Sequence, residues 1–71
     1  MEQRYDINIS IGKRIIELRR QKGMSLERLA YENDIPKSTI SRIEQGIVDA
    51  RISNLERIAR GLDVRLSELF R

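Results

Sequence analysis

The connection between two apolar-patterned segments restricts this chain of 71 residues more than any other feature. Residues 25–32 and 36–46 both carry apolar side chains at helical spacing, and only residues 33–35 separate them. Two helices joined by so short a connection must cross steeply. Ala30 is a small residue at the place where the crossing demands one. The sequence therefore predicts a pair of short, crossed helices.

Helical spacing continues on both sides of this pair. Residues 11–22 carry an apolar stripe that predicts a helix ending before Gly23. Ser53–Glu56 has the form of a capping box, which predicts the start of a fourth helix, and residues 66–70 predict a short fifth one. The fold is therefore predicted to be all-α, with five helices and no sheet.

The beginning of the chain has another pattern. Between Tyr5 and Ile11, apolar and polar residues alternate with a period of two, as in a strand. The segment either pairs with the same segment of a second subunit or forms an arm whose isoleucines pack on the core, and we favour the arm. The predicted division is an N-terminal arm over residues 1–8 and a helical domain over residues 9–71.

Composition excludes several classes of function. The chain has neither cysteine nor histidine, so a disulfide framework, a thiolate zinc site and the commonest general base are absent. Its carboxylates do not cluster in an apolar setting, and we therefore predict no enzyme and no cofactor. Apolar runs are too short for a transmembrane helix or a signal peptide, which predicts a cytoplasmic protein with no membrane partner.

Positive charge is concentrated in one stretch. The formal net charge is +3, and between Lys13 and Arg28 six cations face only Glu17 and Glu27. Such a stretch is either a solvated helix surface or an attraction for an anionic partner.

The predicted third helix turns hydrogen-bonding side chains outward. Ile40 and Ile43 mark its inward face, which leaves polar residues on the opposite face. In the major groove of DNA, Lys and Arg reach guanine O6 and N7, and serine bonds several base edges. An ordinary solvated helix face is the alternative. We predict base contacts from Lys37, Ser38, Ser41 and Arg42.

Contacts to DNA phosphates are predicted around this helix. The free N–H groups at the start of the second helix can hold an oxyanion, and nearby hydroxyl, amide and cationic side chains add donors. The predicted phosphate contacts are Ser25, Arg28, Thr39, Gln45 and Arg51.

Two opposite charges lie at core-facing positions. Arg19 follows Ile15 by four residues, and Glu44 follows Ile40 by four. We predict that they form a salt bridge, which joins the third helix to the first and fixes the angle at which it is presented. We assign this pair to geometry rather than to DNA contact, since buried pairs do not reliably add net stability.

These blocks resemble the phage-repressor-like helix-turn-helix family, also called the Xre or lambda-repressor-like family. The resemblance implies a compact five-helix DNA-binding domain in which residues 26–33 support the recognition helix 37–45. It places the four predicted base contacts where family members touch bases, and Arg19 with Glu44 at the family's internal salt bridge. The resemblance covers nearly the whole chain after Asn8, through the blocks Ile11–Ile15, Leu18–Arg19, Gly23–Ala30, Ser38–Gly46, Leu55–Ala59 and Leu62–Phe70.

Three positions depart from the family pattern. Leu26 stands where the family often has a glutamine that contacts the DNA backbone. Asp34 replaces the turn glycine, although Asp tolerates the left-handed conformation better than most residues. The loop over residues 47–51 lacks the usual basic residue and proline, and Arg51 restores one phosphate contact.

The resemblance implies a bacterial or phage transcriptional regulator, a repressor or a controller. We expect a homodimer that reads an inverted repeat in double-stranded DNA with its recognition helices about 34 Å apart, and that blocks or contacts RNA polymerase. Apolar residues that one small core is not expected to bury favour the dimer. They are Ile16, Ile47, Val48, Leu66 and Phe70.

A protein-interaction module on the same fold, such as an antitoxin or an accessory subunit, is the alternative. Fold alone does not separate the two. A protein-binding face more often carries aromatic or aliphatic anchors, whereas the outward set of the third helix is polar.

Overall fold

The chain folds into four α-helices and one short 3-10 helix in a computed structural model that describes residues 6–71. These residues contain no strand, which confirms the all-α prediction. The predicted fifth helix is a 3-10 segment of five residues, a form that short helical pieces often take. The elements are α1 Asp6–Gln21, α2 Leu26–Glu32, α3 Lys37–Gln45, α4 Ile52–Gly61 and the 3-10 helix Leu66–Phe70.

Helix α1 begins earlier than predicted. Residues 6–8, assigned to the arm by their alternating pattern, form the first turn of this helix. Asp6 suits that turn because a negative charge is favourable at a helix N-terminus. Ile11 is in the core while Ile7 is exposed, so helical register rather than alternation decides which isoleucines are buried. Residues 1–5, the rest of the predicted arm, lie outside the described residues.

The hydrophobic core draws on every element and on the turn between α2 and α3. Helix α1 packs against α3 and the 3-10 helix, α2 packs against α3 and α4, and α4 also packs against the 3-10 helix. The inward positions predicted for α3, Ile40 and Ile43, are buried. The core side chains are Ile11, Ile15, Leu18, Leu29, Ala30, Ile35, Ile40, Ile43, Leu55, Ile58, Ala59, Leu62 and Leu69.

The backbones of α1 and α3 come very close together at Gly12. A Cβ atom at this position would lie 2.5 Å from the carbonyl oxygen of Glu44 and 2.6 Å from that of Ile43. Only a residue without a side chain lets the two backbones come so near. Glycine at position 12 therefore sets the distance between α1 and the C-terminal half of α3.

Helix α4 starts before the predicted capping box. Its N-cap is Arg51, in extended backbone conformation, and the Leu55 N–H donates to the Arg51 carbonyl over 3.0 Å. Ser53 lies inside the first turn and is exposed, so the predicted cap at Ser53 is wrong. The chain leaves its loop two residues earlier, which places Ser53 and Asn54 on the surface beside α3.

Candidate nucleic-acid interface

A four-residue turn places α3 across α2. Asp34 adopts the left-handed conformation with φ of 56°, as expected for the residue that replaces the turn glycine. The Ile35 N–H donates to the Ala30 carbonyl over 3.0 Å, and the buried Ile35 side chain anchors the turn in the core. The Asn33 amide donates to the Leu29 carbonyl over 2.8 Å. These contacts fix the crossing of the two helices.

One face of α3 is turned away from the core. Lys37, Ser38 and Arg42 are exposed and Ser41 is half-buried. Their spacing of one and four residues puts them on one side of the helix. We call these four residues the outward face of α3. Within residues 6–71 Arg42 makes no ion pair, so its guanidinium is available to an external acceptor.

Lys37 is the charged residue of this face that has a partner in the fold. Its Nζ lies 2.8 Å from Oε2 of Glu27 in the first turn of α2, and the two side chains are 60% and 64% exposed. The hydrogen bond from Lys37 holds the pKa of Glu27 below its usual value. Glu27 is therefore ionised at neutral pH, and a carboxylate stands at the N-terminal end of the outward face.

The other end of α3 is fixed by the predicted salt bridge. Arg19 Nε lies 2.8 Å from Glu44 Oε2, and a second nitrogen lies 3.1 Å from Oε1, so the contact is bidentate. The exposed fractions of the two side chains are only 14% and 8%. Arg19 also donates to the Met24 carbonyl over 3.0 Å. One guanidinium thus joins α1, the entry to α2 and α3.

Three of the residues predicted to contact phosphates have hydrogen-bond partners within the fold. The Ser25 hydroxyl caps α2 by accepting from the Arg28 N–H over 3.1 Å, and Arg28 donates to Glu32 over 3.0 Å. The Gln45 amide donates to the Ser41 hydroxyl over 3.0 Å, which orients both side chains.

An open groove lies between α3 and α4. It has a volume of about 510 Å³ and brings Thr39 and Arg51 together, two of the predicted phosphate contacts. Asp49 is in the same lining, and its carboxylate accepts from the Asn8 amide. Ile43, Val48 and Ala50 give the groove an apolar part. We call it the α3–α4 groove, and three polar or charged residues from the start of α4 also line it. These are Ser53, Asn54 and Arg57.

Comparison with known proteins identifies the family. A family model described as helix-turn-helix matches residues 15–69. The chain belongs to the helix-turn-helix family. Control protein C.MunI from a Mycoplasma species is 39% identical over 66 residues, which cover 92% of this chain and 89% of the relative.

Two solved structures resemble this helix-turn-helix protein closely. The restriction-modification controller protein C.AhdI from Aeromonas hydrophila has a TM-score of 0.88 and 33% identity, covering 93% of this chain and all of the other. A crystal structure of SinR in complex with DNA has a TM-score of 0.81 and 37% identity, covering 86% of this chain and 98% of the other. The chain spans 54% of the complete SinR regulator from Bacillus subtilis.

The sequence did not single out three polar residues of this helix-turn-helix protein, namely Ser53, Asn54 and Arg57. The capping-box pattern predicts Ser53 as a helix cap, and no local pattern marks the other two. Arg57 approaches the carbonyl of Asp34 at 3.5 Å, which brings α4 to the turn of the motif. They would have been found if α4 had been predicted to start two residues earlier. All three residues would then be expected on the surface near Thr39.

The described residues form neither a metal site nor a membrane span. In residues 6–71 there is no group of three or more His, Cys, Asp or Glu side chains able to hold a metal ion. No helix among those residues is both long and apolar enough to cross a membrane.

Proposed function

We propose that this protein is a sequence-specific DNA-binding transcriptional regulator that reads bases with the outward face of α3. The observation that carries the proposal is the combination of a buried inner face with an outer face that has only hydrogen-bonding side chains. The likeness to SinR, whose structure contains DNA, supports the same assignment.

In this proposal α3 lies in the major groove of B-DNA. Arg42 and Lys37 donate to guanine O6 or N7, and the hydroxyls of Ser38 and Ser41 bond neighbouring base edges. An arginine that carries no ion pair in the described fold loses none when it binds a base. Arg42 is therefore the residue on which base recognition depends most.

Phosphates on both sides of the major groove would fix the register of α3. Ser25 and Arg28 at the start of α2 contact phosphates of one strand. Phosphates of the other strand are contacted by Thr39, Gln45 and Arg51. The α3–α4 groove adds donors beside Thr39 and Arg51. Such contacts supply affinity and orientation but no sequence information.

We propose further that two copies bind an inverted repeat, with their α3 helices in successive major grooves about 34 Å apart. Of the residues expected to remain outside the core, Ile47 and Phe70 are exposed, whereas Val48 and Leu66 pack against the core. Ile52 adds an exposed side chain next to Phe70, at a small cleft of about 110 Å³. A surface of this kind favours a homodimer.

Regulation follows from occupancy of the operator. A bound dimer either covers the site needed by RNA polymerase or offers it a surface, so the protein acts as a repressor or as a controller. Its similarity to control protein C.MunI and to the restriction-modification controller protein C.AhdI favours a controller.

Selection from random duplexes tests base recognition. Binding of the selected duplex is then measured by fluorescence anisotropy across a salt series for the wild type, Arg42→Ala and Arg60→Ala. Arg60 is an exposed arginine of α4 and serves as the control for the loss of one positive charge. We expect Arg42→Ala to cost about 1–3 kcal/mol on the selected site and Arg60→Ala much less.

Two results would contradict the proposal. If no sequence is enriched and Arg42→Ala behaves like Arg60→Ala, a protein-interaction module replaces the DNA-binding regulator. If sedimentation equilibrium shows a monomer at high micromolar concentration with and without DNA, the dimer is wrong.

A further inference from the structure

Helix α3 begins without a negative charge of its own. Its N-cap is Pro36, which makes no side-chain cap, and its first turn has no acidic residue. Lys37 is the first helical residue, although a cation is unfavourable at the positive end of a helix. The carboxylate of Glu27, which lies 2.8 Å from Lys37 Nζ, supplies the missing negative charge from α2.

The contact also restricts where the Lys37 ammonium can go. A lysine side chain has four rotatable bonds and three N–H donors, so an unrestrained lysine reaches many acceptors. Glu27 uses one donor and leaves two. Because both side chains are largely exposed, packing restrains Lys37 only in part, and the carboxylate is the charged partner that biases where its ammonium lies.

An ionised carboxylate at this position also repels phosphates. A lysine next to a DNA backbone ordinarily binds the nearest phosphate, which adds affinity without regard to sequence. Glu27 opposes that use of Lys37, since the phosphate must approach a negative charge. A base acceptor in the groove carries no full charge and is repelled far less.

We propose that Glu27 is a positioning residue for base recognition, which holds the Lys37 ammonium for a base edge and keeps it from the phosphates. This inference rests on the proposed function. It assigns a role in DNA recognition to a residue that touches no DNA itself. Without Glu27, Lys37 would contribute to binding of all sequences alike.

The experiment compares Glu27→Gln with Glu17→Gln. Glu17 is an acidic residue of similar exposure on α1 that pairs with Arg14, and within residues 6–71 no ion pair or hydrogen bond joins its side chain to α3. Both variants lose one negative charge. Each is measured on the selected duplex, on duplexes with single base-pair changes and on random-sequence DNA, across a salt series. Lys37→Ala identifies the base pair that Lys37 reads.

We expect Glu27→Gln to reduce the preference for that base pair about two- to fivefold, the range expected for an exposed ion pair. On random-sequence DNA its salt dependence should steepen by about 0.9, the value for one additional phosphate contact. Glu17→Gln should change neither quantity. In the Lys37→Ala background Glu27→Gln should also change neither, because the side chain through which it acts is gone.

Several outcomes overturn the inference. Equal effects of Glu27→Gln and Glu17→Gln would show that Glu27 acts only through the net charge of the protein. An unchanged base preference in Lys37→Ala would show that Lys37 reads no base. The positioning role of Glu27 would then be wrong, even if Arg42→Ala weakens binding as expected. If no duplex is selected at all, the proposed function fails and this inference fails with it. A lower thermal midpoint with unchanged preference and salt slope would leave Glu27 only a structural role.

Discussion

The two ends of α3 are held in different ways. At the C-terminal end, the bidentate contact between Arg19 and Glu44 is almost removed from solvent, and the α1 backbone approaches α3 directly at Gly12. At the N-terminal end, Lys37 makes an exposed ion pair with Glu27 of α2. Packing holds both ends, but the charged contact at the C-terminal end is buried, whereas water and ions reach the one at the N-terminal end.

The difference separates two tasks. The buried end sets the position and angle of α3 relative to the rest of the fold, which requires contacts that solvent does not weaken. At the exposed end the charges must remain accessible to DNA, and a contact there is screened and easily exchanged. We therefore expect changes at the first end to alter stability and changes at the second to alter recognition.

The largest effect should follow Gly12→Ala. The new Cβ atom would collide with the carbonyl oxygens of Glu44 and Ile43, so α1 and α3 must separate. We expect a loss of about 3 kcal/mol in the free energy of unfolding, at the upper end of the usual range for overpacking. Urea denaturation measures it, with the exposed Ser10→Ala on the same helix as the control. A loss no greater than that of Ser10→Ala would show that the close approach is not a constraint.

A somewhat smaller loss should follow Arg19→Ala. This variant leaves the Glu44 carboxylate nearly buried without its partner and frees the Met24 carbonyl. We expect about 2–3 kcal/mol, since removal of one member of a buried pair is costly. The double variant Arg19→Met with Glu44→Leu should recover most of the loss, because no unpaired charge remains. If the double variant does not recover the free energy of unfolding, the ion pair itself stabilises the fold.

The smallest effect concerns the exposed end and depends on pH. The pKa of Glu27 is lowered by Lys37, so the contact stabilises the fold above the unfolded-state pKa of about 4.3. That contribution is lost as the pH falls through the lower pKa of the folded state. In Lys37→Ala the pKa of Glu27 should rise towards its usual value, as measured by carbon-detected NMR titration. An unchanged pKa would show that Lys37 and Glu27 do not interact in solution.

The sequence predicted the buried end better than the exposed end. Arg19 and Glu44 each follow a core isoleucine by four residues, so both had to lie on inward faces, and opposite charges in such places must meet. Lys37 and Glu27 are ten residues apart on two helices, and their meeting depends on the crossing angle. That angle is a property of the packed core, which no local pattern describes.

The start of α1 shows why a local pattern can also mislead. Alternation between Tyr5 and Ile11 fits a strand, yet a strand needs a partner, and no other segment of residues 6–71 offers one. Helix geometry instead brings Ile9 against Gly46 at the end of α3, where the glycine has φ of 74°. The helical conformation of residues 6–11 is therefore favoured by a contact with α3, which is distant in the sequence.

The opposite faces of α3 follow independent constraints. Every position that packs inward is tied to α1 and the core, while Lys37, Ser38, Ser41 and Arg42 meet no such demand. Mutations can therefore accumulate on the outer positions without loss of the fold. A lineage carrying this scaffold could acquire a new operator through a few substitutions on one side of one helix, and two copies in the same cell could diverge until neither recognised the DNA of the other.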